Sequence, residues 1–277
     1  MADVIKTEYA GRVAIITIDN EKKLNALDLM GYYALSQALL EVAKNDQVYI
    51  TVLTGKGRYF SSGADTSSVL TSKHQPPAAS SDSYLQALQG FVANNLNLTR
   101  TFYTHPKILV AALNGPAIGL SAALTAFADF IYCTPDTFLL LPFSSLGLVA
   151  EGGASHALAQ RLGLSKANEA LIQSKRIPCD DLVRTGYVNK VFGTPGSAEA
   201  DSSAFLKLVL KEIDDTMGEH LNGDSLLGVK ALIQKPHREI LDRQNVAEVF
   251  AGLDRFVKGI PQQEFEKLAT GKKRHKL

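Results

Sequence analysis

Two places in this chain repeat one order of events: an apolar run, a short glycine turn, and a segment that opens toward a helix. The turns are residues 61–65 (SSGAD) and 114–120 (NGPAIGL). Repeated strand and helix units favour an α/β architecture with largely parallel strands, because crossover helices then cover the sheet faces. Before the first turn, residues 13–19 (VAIITID) and 49–54 (YITVLT) predict short buried strands. Between them, Leu27, Met30, Leu35, Ala38, Leu39 and Val42 recur at helical spacing, which predicts a helix over 27–44. A strand over Ile108–Leu113 leads into the second turn, and residues 118–130 predict a helix with Leu120, Leu124 and Phe127 on one side.

The same turns carry a chemical implication. Glycine permits tight chain reversal, and the first amides of a helix lack intrahelical acceptors, so each turn can aim a backbone N–H outward. Two such groups aimed at one point stabilise an oxygen that becomes negative during reaction, which is the description of an oxyanion hole.

With 277 residues, 45% of them hydrophobic, the chain can bury a sizeable core. Lys and Arg (29) nearly balance Asp and Glu (28), so nothing global marks a nucleic-acid-binding surface. The two cysteines, Cys133 and Cys179, have no metal-like spacing and argue against a disulfide scaffold. The amino terminus lacks an apolar signal core and no run is long enough to span a membrane. Residues 66–83, rich in Ser, Ala and Pro, read as an irregular loop, and 193–197 (GTPGS) as a boundary beyond which helical patterns take over. The division expected is 1–195 and a helical part over 196–277, where Val246, Val249, Phe250, Leu253, Phe256 and Val257 form an apolar stripe for packing within or between subunits.

Several chemistries are excluded. The chain has no GxxxxGK loop, no GxGxxG after a strand, no HExxH and no GxSxG. Ser155 and His156 are sequence neighbours, which does not assemble a triad. Residues 142–155 (PFSSLGLVAEGGAS) hold one carboxylate, Glu151, between apolar residues and a glycine pair. Burial there favours its neutral form and makes the anion a stronger base; an exposed or helix-capping glutamate is the other reading.

The order Lys23-Leu24-Asn25-Ala26-Leu27, SSGAD, NGPAIGLSAAL, then Pro142-Phe143 with Leu146-Gly147 and Ala150-Glu151-Gly152 resembles the crotonase, or enoyl-CoA hydratase/isomerase, superfamily. The resemblance implies a spiral of ββα units, a helical carboxy-terminal region used in forming trimers or hexamers, and acyl-CoA thioester substrates. It places the oxyanion donors at the backbone N–H groups of Ala64 and Leu120. It places CoA and acyl contacts at Lys23, Asn25, Ala26 and Leu27, and at Ser62, Gly63, Ala64, Asp65 and Thr66.

Hydratases of the superfamily carry two glutamates at positions matching Ala123 and Phe143 here, which disfavours hydration. Glu151 matches the base of the Δ3,Δ2-enoyl-CoA isomerases of peroxisomal type, where one carboxylate suffices for a 1,3-proton shift. A role for Asn95 in holding that base is a further expectation. No metal or separate cofactor is implied, since CoA enters with the substrate. The alternatives are a dienoyl-CoA isomerase and a non-catalytic acyl-CoA-binding protein on the same fold. The final residues His275, Lys276 and Leu277 have the form of a peroxisomal import address; a solvated basic tail is the other reading.

Overall fold

The computed structural model describes residues 4–65, 83–193 and 202–274. The loop expected over 66–83 lies outside these residues except for Ser83. Thr66, the import tripeptide 275–277 and most of the boundary at 193–197 lie outside them as well.

Six strands form the main sheet: β1 (Ile5–Ala10), β2 (Val13–Ile18), β3 (Ile50–Gly55), β4 (Ile108–Leu113), β6 (Phe130–Cys133) and β9 (Lys190–Val191), side by side in that order. Only the β1–β2 pair is antiparallel; every later neighbour runs parallel. Three shorter strands, β5 (Ala117–Ile118), β7 (Phe138–Leu140) and β8 (Ile177–Pro178), form a second sheet in the order β5-β7-β8.

The inner strands β2, β3 and β4 are apolar because both faces of the sheet are covered there, whereas the edge strand β1 is exposed beyond Ile5. Side chains alternate across a strand, so Leu109, Ala111 and Leu113 of β4 join one core while Ile108, Val110 and Ala112 join another. The first core includes Tyr32, Leu35, Leu39 and Val42 of helix α1 (Leu29–Lys44) and Leu98 and Phe102 of α2 (Ala93–Tyr103). A short helical segment, Ser83–Ala87, and a π-helical stretch, Leu88–Val92, lead into α2.

Four further helices follow the second turn: α3 (Gly119–Thr125), α4 (Ala154–Leu162), α5 (Leu164–Leu171) and α6 (Cys179–Arg184). Another four, α7 (Ser202–Met217), α8 (Gly223–Gln234), α9 (Arg238–Val257) and α10 (Ile260–Ala269), make the carboxy-terminal part helical, as expected. Phe205, Val209, Ile213 and Met217 of α7 close the second core.

Three expectations shift. Helix α1 starts at Leu29 because Asp28 accepts the Gly31 N–H at 2.8 Å and acts as the N-cap. The helix expected over 118–130 ends at Thr125, where bonds from Phe127 N–H to Leu124 and from Ala128 N–H to Thr125 tighten the chain into turns before β6. In the carboxy-terminal stripe, Val249 and Leu253 are buried, whereas Val246, Phe250 and Val257 are about half exposed.

Candidate active site

Because β3 and β4 are adjacent and parallel, with Thr54 opposite Ala112, the turns that follow them emerge at the same sheet edge. Two buried asparagines then lock the turns together. Asn25 donates to the carbonyls of Lys56 (2.8 Å) and Tyr59 (2.7 Å), and accepts the Asn20 N–H. Asn114 donates to Gly57 and Tyr59 and accepts the Gly55 N–H at 3.0 Å. Ser61 pairs with Ala117 in an isolated bridge, and Ile118 N–H donates to the Ser61 carbonyl at 2.9 Å.

The aim of the Ala64 amide follows from its neighbours. The Gly63 carbonyl accepts the Leu27 N–H and the Asp65 N–H donates to the Leu27 carbonyl, at 3.0 and 2.9 Å. In an extended segment successive peptide groups alternate sides, so the Ala64 N–H faces away from Leu27. Leu120 is the second residue of α3, where an amide has no intrahelical acceptor. Both residues line one cavity of about 690 Å³.

Behind the turns runs a buried hydroxyl chain. Ser61 Oγ donates to the Asn25 carbonyl at 2.8 Å and accepts the Gly63 N–H at 3.1 Å, and it lies 2.9 Å from Ser121 Oγ. Ser121 in turn bonds the Tyr32 hydroxyl at 3.0 Å. The chain ties the first turn to α3 and both to α1.

Glu151 enters the same cavity from the loop between β7 and α4. That loop bends sharply at Gly152, whose φ of +69° disfavours any side chain. A Cβ there would also lie 2.7 Å from Leu120 Cδ1 and 3.1 Å from Ala123 Cβ, so the loop sits directly on α3. Burial pushes the Glu151 carboxyl up to about 7, the Glu248 carboxylate adds to the rise, and Asn95 opposes it. Asn95 Nδ2 reaches Glu151 Oε2 at 3.5 Å, a long contact for a hydrogen bond.

The profile of the family described as enoyl-CoA hydratase/isomerase matches residues 8–217. This chain belongs to that family. The family's crotonase fold is visible in its likeness to OdaA of Pseudomonas aeruginosa, with a TM-score of 0.79 and 25% identity over 96% of this chain and 99% of that one. A protein of Pyricularia oryzae named Delta(3,5)-Delta(2,4)-dienoyl-CoA isomerase is 61% identical over the full length of both chains. The 3,2-trans-enoyl-CoA isomerase of Saccharomyces cerevisiae is 34% identical over 99% of this chain and 96% of its own.

Of the positions the family resemblance singles out, Lys23, Ala26, Ser62, Gly63, Ala64, Asp65, Leu120 and Glu151 line the cavity together. Lys23 and Asp65 pair at 2.6 Å there. Asn25 and Leu27 do not line it. Asn25 is fully buried and spends its side chain on the loop carbonyls, while Leu27 packs in the core and meets Ala64 through a backbone bridge. Ala123 and Phe143 are both buried, and Phe143 gives the cavity an apolar wall.

Five residues were not foreseen. Phe265, Leu268 and Ala269 of α10 close one side of the cavity. Tyr32 belongs to the hydroxyl chain, and Glu248 of α9 grips the Glu151 loop from beneath. A signal for Glu248 exists in the sequence: Leu241, Asn245, Glu248 and Gly252 recur at helical spacing, and all are buried.

Proposed function

We propose that the protein isomerises enoyl-CoA thioesters, moving the double bond of a 3-enoyl-CoA to the 2-trans position by a 1,3-proton shift. The observation that carries the reading is Glu151, a desolvated carboxylate in the cavity that Ala64 and Leu120 also line. Asp65, the other acid lining the cavity among the described residues, is engaged by Lys23.

With the thioester oxygen on the Ala64 and Leu120 amides, Glu151 takes a proton from carbon 2. The electron pair released delocalises onto that oxygen and across carbons 2 to 4 as a dienolate. The amides are already oriented by β-type pairing and by the start of α3, so no reorganisation is needed as charge builds. Glu151 then returns the proton at carbon 4. The scheme uses no metal, flavin or nicotinamide, and CoA arrives as part of the substrate. Ala123 and Phe143 offer no carboxylate to activate water, which supports isomerisation over hydration.

A second reading is favoured by the 61% identity to the Pyricularia oryzae dienoyl-CoA isomerase. It shares the carbon 2 deprotonation and differs in returning the proton to carbon 6 of a 3,5-dienoyl-CoA. Parallel assays with 3-enoyl-CoAs and 3,5-dienoyl-CoAs of matched length separate the two: the 1,3-shift reading requires the greater kcat/KM on the former. Turnover of neither, with acyl-CoA still bound, would support the non-catalytic alternative. Homotrimers or hexamers are part of the proposal, supported by exposed Val229, Leu232 and Ile233 on α8, which a second copy would bury. Import into peroxisomes through His275-Lys276-Leu277 is tested by deleting those residues from a tagged protein.

A further inference from the structure

Glu248 is buried on α9, yet no substrate-lining surface includes it. Its two carboxylate oxygens accept the N–H groups of Gly153 (2.7 Å) and Ser155 (2.8 Å). Between those amides, the Ala154 N–H donates to the backbone carbonyl of Glu151 at 3.3 Å. The Glu248 side chain therefore clamps the start of α4 two residues beyond the base. Gln244, one turn earlier on α9, bonds Ser155 Oγ at 2.9 Å and backs the clamp.

The two acids have unequal surroundings. Burial raises the Glu248 carboxyl above its ordinary value, and the amide donor on each of its oxygens at a helix start opposes that rise and favours the anion. Glu151 has one long contact from Asn95 and otherwise faces the apolar cavity wall and Tyr32 of α1, whose phenol burial keeps neutral. From α4, His156 is held below its ordinary range by burial and by the neighbouring His237, so it brings no strong positive charge to the pair. Among the described residues no cation is ion-paired with either acid.

We infer that Glu248 is a positioning residue which carries the negative charge of a buried carboxylate pair and thereby directs the mobile proton to Glu151. This rests on the reading of Glu151 as the base. Like charges in one low-dielectric region cannot both ionise freely, and the member with the better hydrogen-bond donors keeps the charge. The consequence is a catalytic carboxylate whose basicity is matched to neutral pH, as an acid that must first take and then return a proton requires.

The test is the pH dependence of kcat/KM for Glu248→Gln and Glu248→Asp beside the unaltered enzyme. Removing the charge is expected to move the midpoint down by about one pH unit, while the aspartate variant, which keeps the charge, holds it in place. A Glu248→Gln enzyme slowed equally at every pH with an unmoved midpoint would overturn the inference and leave a purely structural clamp. Should Glu248→Gln fail to fold, carbon-13 carboxyl titration of the unaltered protein decides. The resonance that disappears in Glu151→Gln must titrate near neutrality, and a midpoint in the ordinary carboxylate range overturns the pairing. Undiminished turnover by Glu151→Gln would instead remove the base assignment itself, which keeps the two failures apart.

Discussion

A Cβ on Gly63 would lie 2.8 Å from the Ile118 carbonyl oxygen and 3.7 Å from the Gly119 Cα, so the two turns touch backbone to backbone at this point. The spacing of the Ala64 and Leu120 amides depends on that contact. Gly63 also has φ +88°, in the region that favours glycine. Gly63→Ala is therefore expected to push the turns apart. Loss of one oxyanion donor costs about 3 kcal/mol in the transition state, roughly a hundredfold in kcat. Steady-state kinetics and acyl-CoA titration check this: kcat should fall far more than affinity, and an unchanged kcat would refute the donor pair.

Glu151→Gln preserves size and removes the base. A general base contributes about 10²- to 10⁴-fold, so turnover should drop by that order with KM little changed. The same substitution should stabilise the fold at alkaline pH. The Glu151 carboxyl rises from 4.5 to about 7 on folding, so between those values the folded state binds more protons than the unfolded one. Its favourable contribution is complete below pH 4.5 and is lost as pH rises through 7, a penalty of up to about 3 kcal/mol on the ionised form. Thermal melts at pH 8 should show a higher Tm for the glutamine variant than for the parent.

Activity should follow the same ionisation. The base works as the anion, so kcat/KM is expected to fall as pH drops through about 7 and to level off above it. A profile flat down to the ordinary glutamate range would show that the carboxylate is not desolvated in the free enzyme.

Asn25→Ala should damage stability before chemistry. It strands the Lys56 carbonyl and the Asn20 N–H, leaves the Tyr59 carbonyl with the Asn114 bond alone, and places alanine at φ +58°. A loss of about 3 kcal/mol in urea unfolding is expected from the unsatisfied groups. Lys22→Ala, at an exposed position on the same segment, should change stability by less than about 0.5 kcal/mol.

Much of the fold was legible because its signals are local. The apolar runs at β2, β3 and β4 have both faces covered, and the helical recurrence in α1 reports its buried stripe at Leu35, Leu39 and Val42, whereas Met30 is half exposed and the buried Tyr32 falls outside the pattern. The end of α3 was misread, since Phe127 and Ala128 continue an apolar pattern while their bonding turns the chain toward β6. The stripe over 246–257 likewise mixes two environments, one packed on Val92 and one open to solvent.

By itself the sequence determined the strand-turn-helix order, the two glycine turns and the lone acid among apolar neighbours, because these depend on backbone sterics and on residue polarity at short range. Tertiary structure alone decided that Asn25 faces inward as a tie between loops, that α10 walls the cavity, and that Glu248 reaches across 95 residues to hold the Gly153 amide. Those outcomes follow from which surfaces meet when β3 and β4 pair and α9 packs against α2, α4 and α10. A side chain's charge and hydrogen-bond state depend on what surrounds it in space, and chain order does not specify that.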